Sequence, residues 1–329
     1  MEPRDRWNLA RWHPEASGGH YESWFVRANH PARPLAFWIR YTIFAPRDGS
    51  PAIGELWAIV FDGDRKTVRA AKQELAIERC SFDRERLDVR IGESRLEPGQ
   101  LLGTAEGTAH RIGWSLAHRG DAPPLLLLPE SLYAGGFPKA KTVVPAPLVR
   151  FSGELVVDGE RIVVDDWLGS QNHNWGARHT DRYAWGQVAG FDGQGDAFLE
   201  CSTAKLRIGP LWTPWMTVAV LRIGAREHAF NTLGRAAFAK ASIDGLSWRF
   251  DTGNGRERLR VHVEAPRKSF VGLRYRNPPG GVKICLNCKI ARADVELDLA
   301  DGTRVELHTA DRAAFELLGD DAQGIEVVA

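Results

Sequence analysis

Apolar residues along this chain come in short runs, several alternating with polar residues, and the runs are separated by Asp-Gly pairs and prolines. That pattern predicts strands joined by tight turns. Leu35 to Phe44 runs up to Pro46 and Asp48-Gly49, and Glu55 to Phe61 stops at Asp62-Gly63. Arg150 to Val157 and Glu160 to Asp165 flank Asp158-Gly159. That pair suits a type I′ turn, whose two central residues both need positive φ. The pattern returns later. Ala184 to Phe191 and Asp196 to Cys201 flank Asp192-Gly193, Trp215 to Ile223 ends at Gly224, and Arg258 to Glu264 alternates strictly. Val295 to Leu299 and Arg304 to His308 flank Asp301-Gly302. Helix is expected only in three short stretches, Val68 to Ile77, Arg235 to Lys240 and Asp311 to Leu318. The order lacks βα alternation, so a parallel doubly wound sheet is excluded in favour of an all-β protein of antiparallel sandwiches or barrels. The stretch Pro123 to Pro147 breaks the strand pattern once and reads as a long surface connection. Each half opens on an aromatic-rich hairpin, which fits two similar β units.

Length and composition narrow the partners. The 329 residues suggest two domains or one large one. A hydrophobic share of 43% with 26% charged residues excludes wholesale disorder. Lys+Arg 43 against Asp+Glu 42 gives no electrostatic reason to expect nucleic acid or an anionic membrane as the main partner. Four cysteines are too few for a disulfide scaffold. The charged start does not read as a secretory signal, and no run approaches the ~18 apolar residues of a membrane span. A cytoplasmic protein without stable membrane insertion is expected. Twelve tryptophans are many for this length, and their burial sites become the question.

The densest polar-aromatic stretch runs from Trp167 to Gln187 and is expected to form about one long hairpin. Alternate strand residues share a face. His173 and Trp175 therefore point one way, and Asn172 and Asn174 the other. A histidine beside an indole in an apolar cavity can donate a proton while the ring face stabilises a developing cation. A glycine-kinked turn whose amides satisfy loop backbone explains the same residues equally well. In Gly19 to Arg27, alternation puts Tyr21, Ser23 and Phe25 on one face and His20, Glu22 and Trp24 on the other. Glu22 beside Trp24 is a candidate general acid with a raised pKa; pairing with Arg27 or Arg40 is the structural alternative. Cys285-Leu-Asn-Cys288 is a lone CxxC and weak evidence for a metal. No phosphate loop, GxGxxG after a strand, or GxSxG elbow is present.

Six stretches, taken in order, resemble the AttH-like proteins: GHYESWFVRAN (Gly19 to Asn29), LWAIVFD (Leu56 to Asp62), FPKAK (Phe137 to Lys141), NHNWGARH (Asn172 to His179), YAWGQ (Tyr183 to Gln187) and CLNCKIA (Cys285 to Ala291). That group also holds carotenoid 1,2-hydratases and is similar to tocopherol cyclases and lipocalin-like Diels–Alderases. The resemblance implies two calycin-like or lipocalin-like antiparallel units, residues 1–178 and 179–329, with an apolar cavity in or between them. It implies a hydrophobic small-molecule substrate, often isoprenoid or polyketide-like, and no cofactor. Loose peripheral contact with a bilayer fits such a substrate. The HxW pattern carries over as His173 and Trp175. The Tyr and Asp that the hydratase branch adds downstream are missing from Phe198-Leu-Glu-Cys-Ser202, where Glu200 is the nearest acid.

The expected function is thus a hydratase, cyclase or isomerase acting on a hydrophobic alkene. His173, Glu22 or Glu200 would supply the proton. Trp24, Trp175, Tyr183 and Trp185 would shape the cavity, and Asn172, Asn174 and Gln187 would orient water or a polar head group. The alternatives are a non-catalytic carrier of a hydrophobic molecule and, behind it, a carbohydrate-active sandwich. A carrier cavity should be lined by neutral groups, whereas an enzyme should bury a titratable group with a perturbed pKa.

Overall fold

In the computed structural model, which describes residues 5–15 and 18–328, the alternating runs pair into two large antiparallel sheets. Twelve strands between His20 and Gly176 form the first sheet, and ten between Arg182 and Gly319 form the second. The wiring is used twice. The opening strand His20–Asn29 pairs with Leu35–Ala45 on one side and with the long strand Glu160–Gly176 on the other. That long strand pairs in turn with Ala140–Val157. In the second sheet Arg182–Phe191 lies between Gln194–Lys205 and Arg304–Gly319, which pairs with Val282–Asp298. The all-β class is as the sequence predicts, and one sheet curls into a nearly closed barrel.

The turn chemistry holds in detail. Asp158 and Gly159 have φ of +53° and +89°, the signs a type I′ turn requires. Two of the three helical stretches are strands instead. Val68 to Ile77 lies mainly in the strand Thr67–Ala76, and Asp311 to Leu318 lies in Arg304–Gly319. Their Ala, Lys, Glu and Leu residues favour helix locally, but a full antiparallel ladder outweighs a few tenths of a kcal/mol of propensity per residue. Only the stretch Arg235 to Lys240 meets α-helix, overlapping the end of the single turn Leu233–Ala236. The Pro123 to Pro147 stretch is also more than a connection. Its second part enters the strand Ala140–Val157, where register shifts around Ala146 accommodate prolines that have no N–H for the ladder.

Two cores result. Inside the first sheet, Trp24, Phe37, Phe151 and Trp167 pack together. The outward face of the same sheet is also apolar: Phe25, Trp38, Trp57 and Phe61 pack against Trp185, Trp248 and Phe315 of the second sheet. This explains the tryptophans. Trp24, Trp38, Trp57 and Trp167 are each almost wholly buried because the first sheet is covered on both faces, and Trp248 of the second sheet is buried where it packs against that outward face.

The stretch Trp167 to Gln187 is not one hairpin. Glu160–Gly176 belongs to the first sheet and Arg182–Phe191 to the second, and the residues between them are the crossover joining the sheets. Sequence proximity hides that change of sheet, and it decides which residues meet.

Candidate functional site

A cavity of about 200 Å³ lies between the two sheets. Adjacent strands of the first sheet supply Tyr21 and Phe25, and Trp38 and Arg40, all on the outward face. The second sheet supplies Tyr183, Trp185, Ser202 and Glu316. His179 reaches in from the crossover, Tyr275 from a neighbouring strand, and Leu128, Phe137 and Lys141 from the segment expected to run over the surface. The chamber is thus walled by aromatic rings with a few charged groups among them.

Those charges are arranged. The Glu316 carboxylate accepts hydrogen bonds from Lys289 Nζ at 2.7 Å and from Asn287 Nδ2 at 2.9 Å, with the Tyr183 hydroxyl at 3.4 Å. The Lys289 ammonium sits 5.4 Å from the Trp185 ring centre and 5.7 Å from that of Trp38, so one cation bridges aromatic rings of both sheets. Burial lowers its pKa, opposed by Glu316. Behind Trp185 lies Glu200, fully buried, accepting from Trp185 Nε1 and Gln187 Nε2 at 2.8 Å each. Burial drives its pKa up to about 7 against those two hydrogen bonds and the charge of Arg27, and nearby Glu316 adds to the rise. His179 stacks on Tyr21 at 4.0 Å and on Tyr275 at 5.6 Å. Burial, with the positive charge of Arg40, brings it down to about 3, so it is neutral near pH 7.

The ten residues singled out in the sequence divide by sheet face. Asn174, Tyr183 and Trp185 line the cavity. Glu200, Gln187 and Asn172 form a buried layer around it, joined by the Gln187 amide, which donates to both Asn172 and Glu200. The other four lie on the opposite face of the first sheet. His173 stacks on Trp24 at 4.6 Å and lies 4.9 Å from Trp175, and its two ring nitrogens meet the Trp7 carbonyl at 2.6 Å and Glu22 at 2.8 Å. His173 and Trp175 do share a face, as alternation requires, but that face looks into the first half and holds down the segment from Trp7 to Trp12.

Glu22 requires a correction. Its expected partners, Arg27 and Arg40, lie on the other face, and its pKa falls rather than rises. Burial favours the neutral form, but hydrogen bonds from His173 and His20, with their charge, outweigh it and bring the carboxyl down to about 2. The backbone N–H groups of Arg11 and Trp12 also donate to it. A carboxylate so held is a poor general acid.

The sequence reading gave Arg40, His179, Tyr275, Lys289 and Glu316 no place at the cavity. A signal existed for two of them. Arg40 is the only charged residue in the apolar run Leu35 to Phe44, and Lys289 lies inside the motif Cys285 to Ala291, whose lysine was given no role. Both of those thiols are buried, and burial pushes Cys288 up to about 12. Among the described residues no group of three or more His, Cys, Asp or Glu is placed to hold a metal ion.

A two-sheet, lipocalin-like protein with a ligand-sized chamber between the sheets is the class that this fold defines, and it is the fold of AttH-like proteins. A putative AttH from Nitrosomonas europaea superposes with a TM-score of 0.59 at 12% identity, over 93% of this chain and 94% of that one. CghA matches at 0.60 and 13%, covering 96% and 95%. Kievitone hydratase from Nectria haematococca matches at 0.53 and 11%, covering 95% and 92%. In sequence, an uncharacterized protein of Mycobacterium tuberculosis, found in two strains, is 25% identical over 295 residues, 88% of this chain and 84% of that protein. No protein-family model matches the chain.

Proposed function

We propose that the protein is an enzyme that hydrates, cyclises or isomerises a hydrophobic unsaturated molecule in the chamber between its sheets, by proton donation and without a cofactor. The observation that carries this reading is the company Glu200 keeps. A carboxyl group with a pKa of about 7 lies directly behind a chamber of π-faces, with Glu316 on the chamber wall beside it. An acid poised near neutrality is suited to protonating an alkene. The faces of Trp38 and Trp185 shield the carbocation that results. Asn174, on the chamber wall, orients the attacking water or a polar head group. Glu200 takes the proton-donor role that the sequence reading shared among His173, Glu22 and Glu200, while Glu316 stays the charged partner of Lys289.

A pure carrier has no need of buried, perturbed titratable groups around its ligand, and here His179 lines the chamber while Glu200 and Lys289 are buried behind its wall. The structural likeness to CghA, a Diels–Alderase, and to kievitone hydratase supports chemistry on unsaturated hydrophobic molecules in this architecture.

The test begins with native mass spectrometry of the purified protein to find a co-purified ligand. That compound and related polyenes are then incubated with the protein in D2O. Deuterium should enter the product. Glu200→Gln should slow turnover by roughly 10²–10⁴-fold, the usual worth of a general acid. The wild-type rate should fall as pH rises through about 7, and that limb should be absent from any residual activity of Glu200→Gln. Binding with neither turnover nor deuterium incorporation would make the protein a carrier, and turnover without deuterium would overturn proton donation.

A further inference from the structure

One wall of the chamber carries donors with nothing to donate to. Arg40 is 6% exposed and lines the cavity. Among the described residues its guanidinium makes no hydrogen bond and no ion pair, and its Nε is buried without a partner. It rests instead over the rings of Tyr275 at 4.6 Å and Trp38 at 5.9 Å. The carboxylates around it are engaged elsewhere: Glu55 with Arg276 and Lys72, Glu316 with Lys289. Trp38, two residues earlier on the same strand face, also lines the cavity, and its indole Nε1 is likewise buried and unpartnered. A buried cation and a buried N–H left unsatisfied are expensive unless something satisfies them.

We infer that Arg40 and Trp38 form a recognition subsite for an acidic oxygen, a carboxylate or enolate, on an otherwise apolar and unsaturated substrate. A guanidinium offers paired N–H groups to two oxygens at once, and the neighbouring indole N–H adds a third donor. The aromatic walls then hold the rest of the molecule, and the acidic end sets which part of it lies near Trp185 and Glu316. This deepens the proposed function, since it rests on the chamber being the ligand site and names the class of ligand it takes.

The test uses the full chain and two probes of one shape, 2-naphthoate and 2-naphthamide, titrated by calorimetry at pH 8. The acid should bind at least about tenfold more tightly than the amide, as expected when a charged hydrogen bond replaces a neutral one. Arg40→Met should erase that preference while leaving the affinity for the amide nearly unchanged, and Arg40→Lys should keep part of it. Trp38→Phe should lower the affinity for the acid more than that for the amide. Should Arg40→Met fail to fold, the lysine and phenylalanine variants carry the comparison. Equal affinities in the wild type, or an undiminished preference in the Arg40 variants, would overturn the inference and leave the chamber as a ligand site. Failure of the wild type to bind either probe would overturn both.

Discussion

Glu22 stays charged in a dry interior because four donors converge on it: the backbone N–H groups of Arg11 and Trp12 and the rings of His20 and His173. Its folded pKa of about 2 lies below the ordinary 4.5. The stability it contributes is therefore present above pH 4.5 and lost as pH falls toward 2. His179, at about 3 against an ordinary 6.5, contributes stability above pH 6.5 that is lost as pH falls toward 3. Glu200 has the opposite sign. Its raised pKa makes the fold lose stability as pH rises from 4.5 through 7. We expect Glu22→Gln to cost roughly 3–5 kcal/mol in urea unfolding at pH 7, the penalty for breaking a buried ion pair. Its unfolding free energy should also vary less between pH 4.5 and 2 than that of the wild type. Affinity for a chamber ligand should not change in the surviving fold, because Glu22 faces away from it. A large loss of affinity at full stability would contradict the placement of Glu22 and His173 as tethers of the N-terminal segment.

At the scale of single strands, Glu160–Gly176 serves both faces of the first sheet. Its odd residues, His173 and Trp175, face the interior of the first half, and its even residues, Asn172 and Asn174, face the second sheet. The strand can lie so near His20–Asn29 only because position 169 is glycine. A Cβ there would sit 1.9 Å from the Arg27 carbonyl oxygen, so backbone would have to move. Gly169→Ala should lower stability by about 1–3 kcal/mol or more in thermal or urea unfolding, as overpacking does. Ligand affinity should fall with it, because the same pair of strands carries Asn174 and Phe25. An alanine variant as stable as the wild type would show that the strands can part without consequence.

Across the whole molecule, the two sheets are locked by a polar seam rather than by apolar contact alone. Arg27 of the first sheet is wholly buried and donates to the Gln187 side chain at 2.7 Å and to the Gln187 backbone carbonyl of the second. Asn29 adds a bond to the Lys289 carbonyl at 2.7 Å. Gln187 passes the connection on to Glu200, so the seam and the chamber share one network. Arg27→Met should therefore act on both. We expect a loss of about 1–3 kcal/mol, the cost of leaving its buried acceptors unsatisfied, and a calorimetric unfolding peak that broadens or splits as the halves melt separately. A single sharp transition at the wild-type temperature would show that apolar packing suffices.

Many strand positions, the Asp158-Gly159 turn and the alternation that sets His173 apart from Asn174 are legible in the amino-acid sequence. Each depends on residues close along the chain: period-two burial, positive φ at a turn, the stiffness of β-branched side chains. The Thr67–Ala76 strand was not legible, because its pairing with Ile53–Asp62 overrode a helical composition. Nor could the sequence decide which face of the opening strand meets the second sheet, since both faces mix aromatic and polar residues. That choice belongs to the packing of one sheet on another. It puts Arg40, His179, Lys289 and Glu316, far apart along the chain, around one chamber, and it turns His173 and Glu22 away from it.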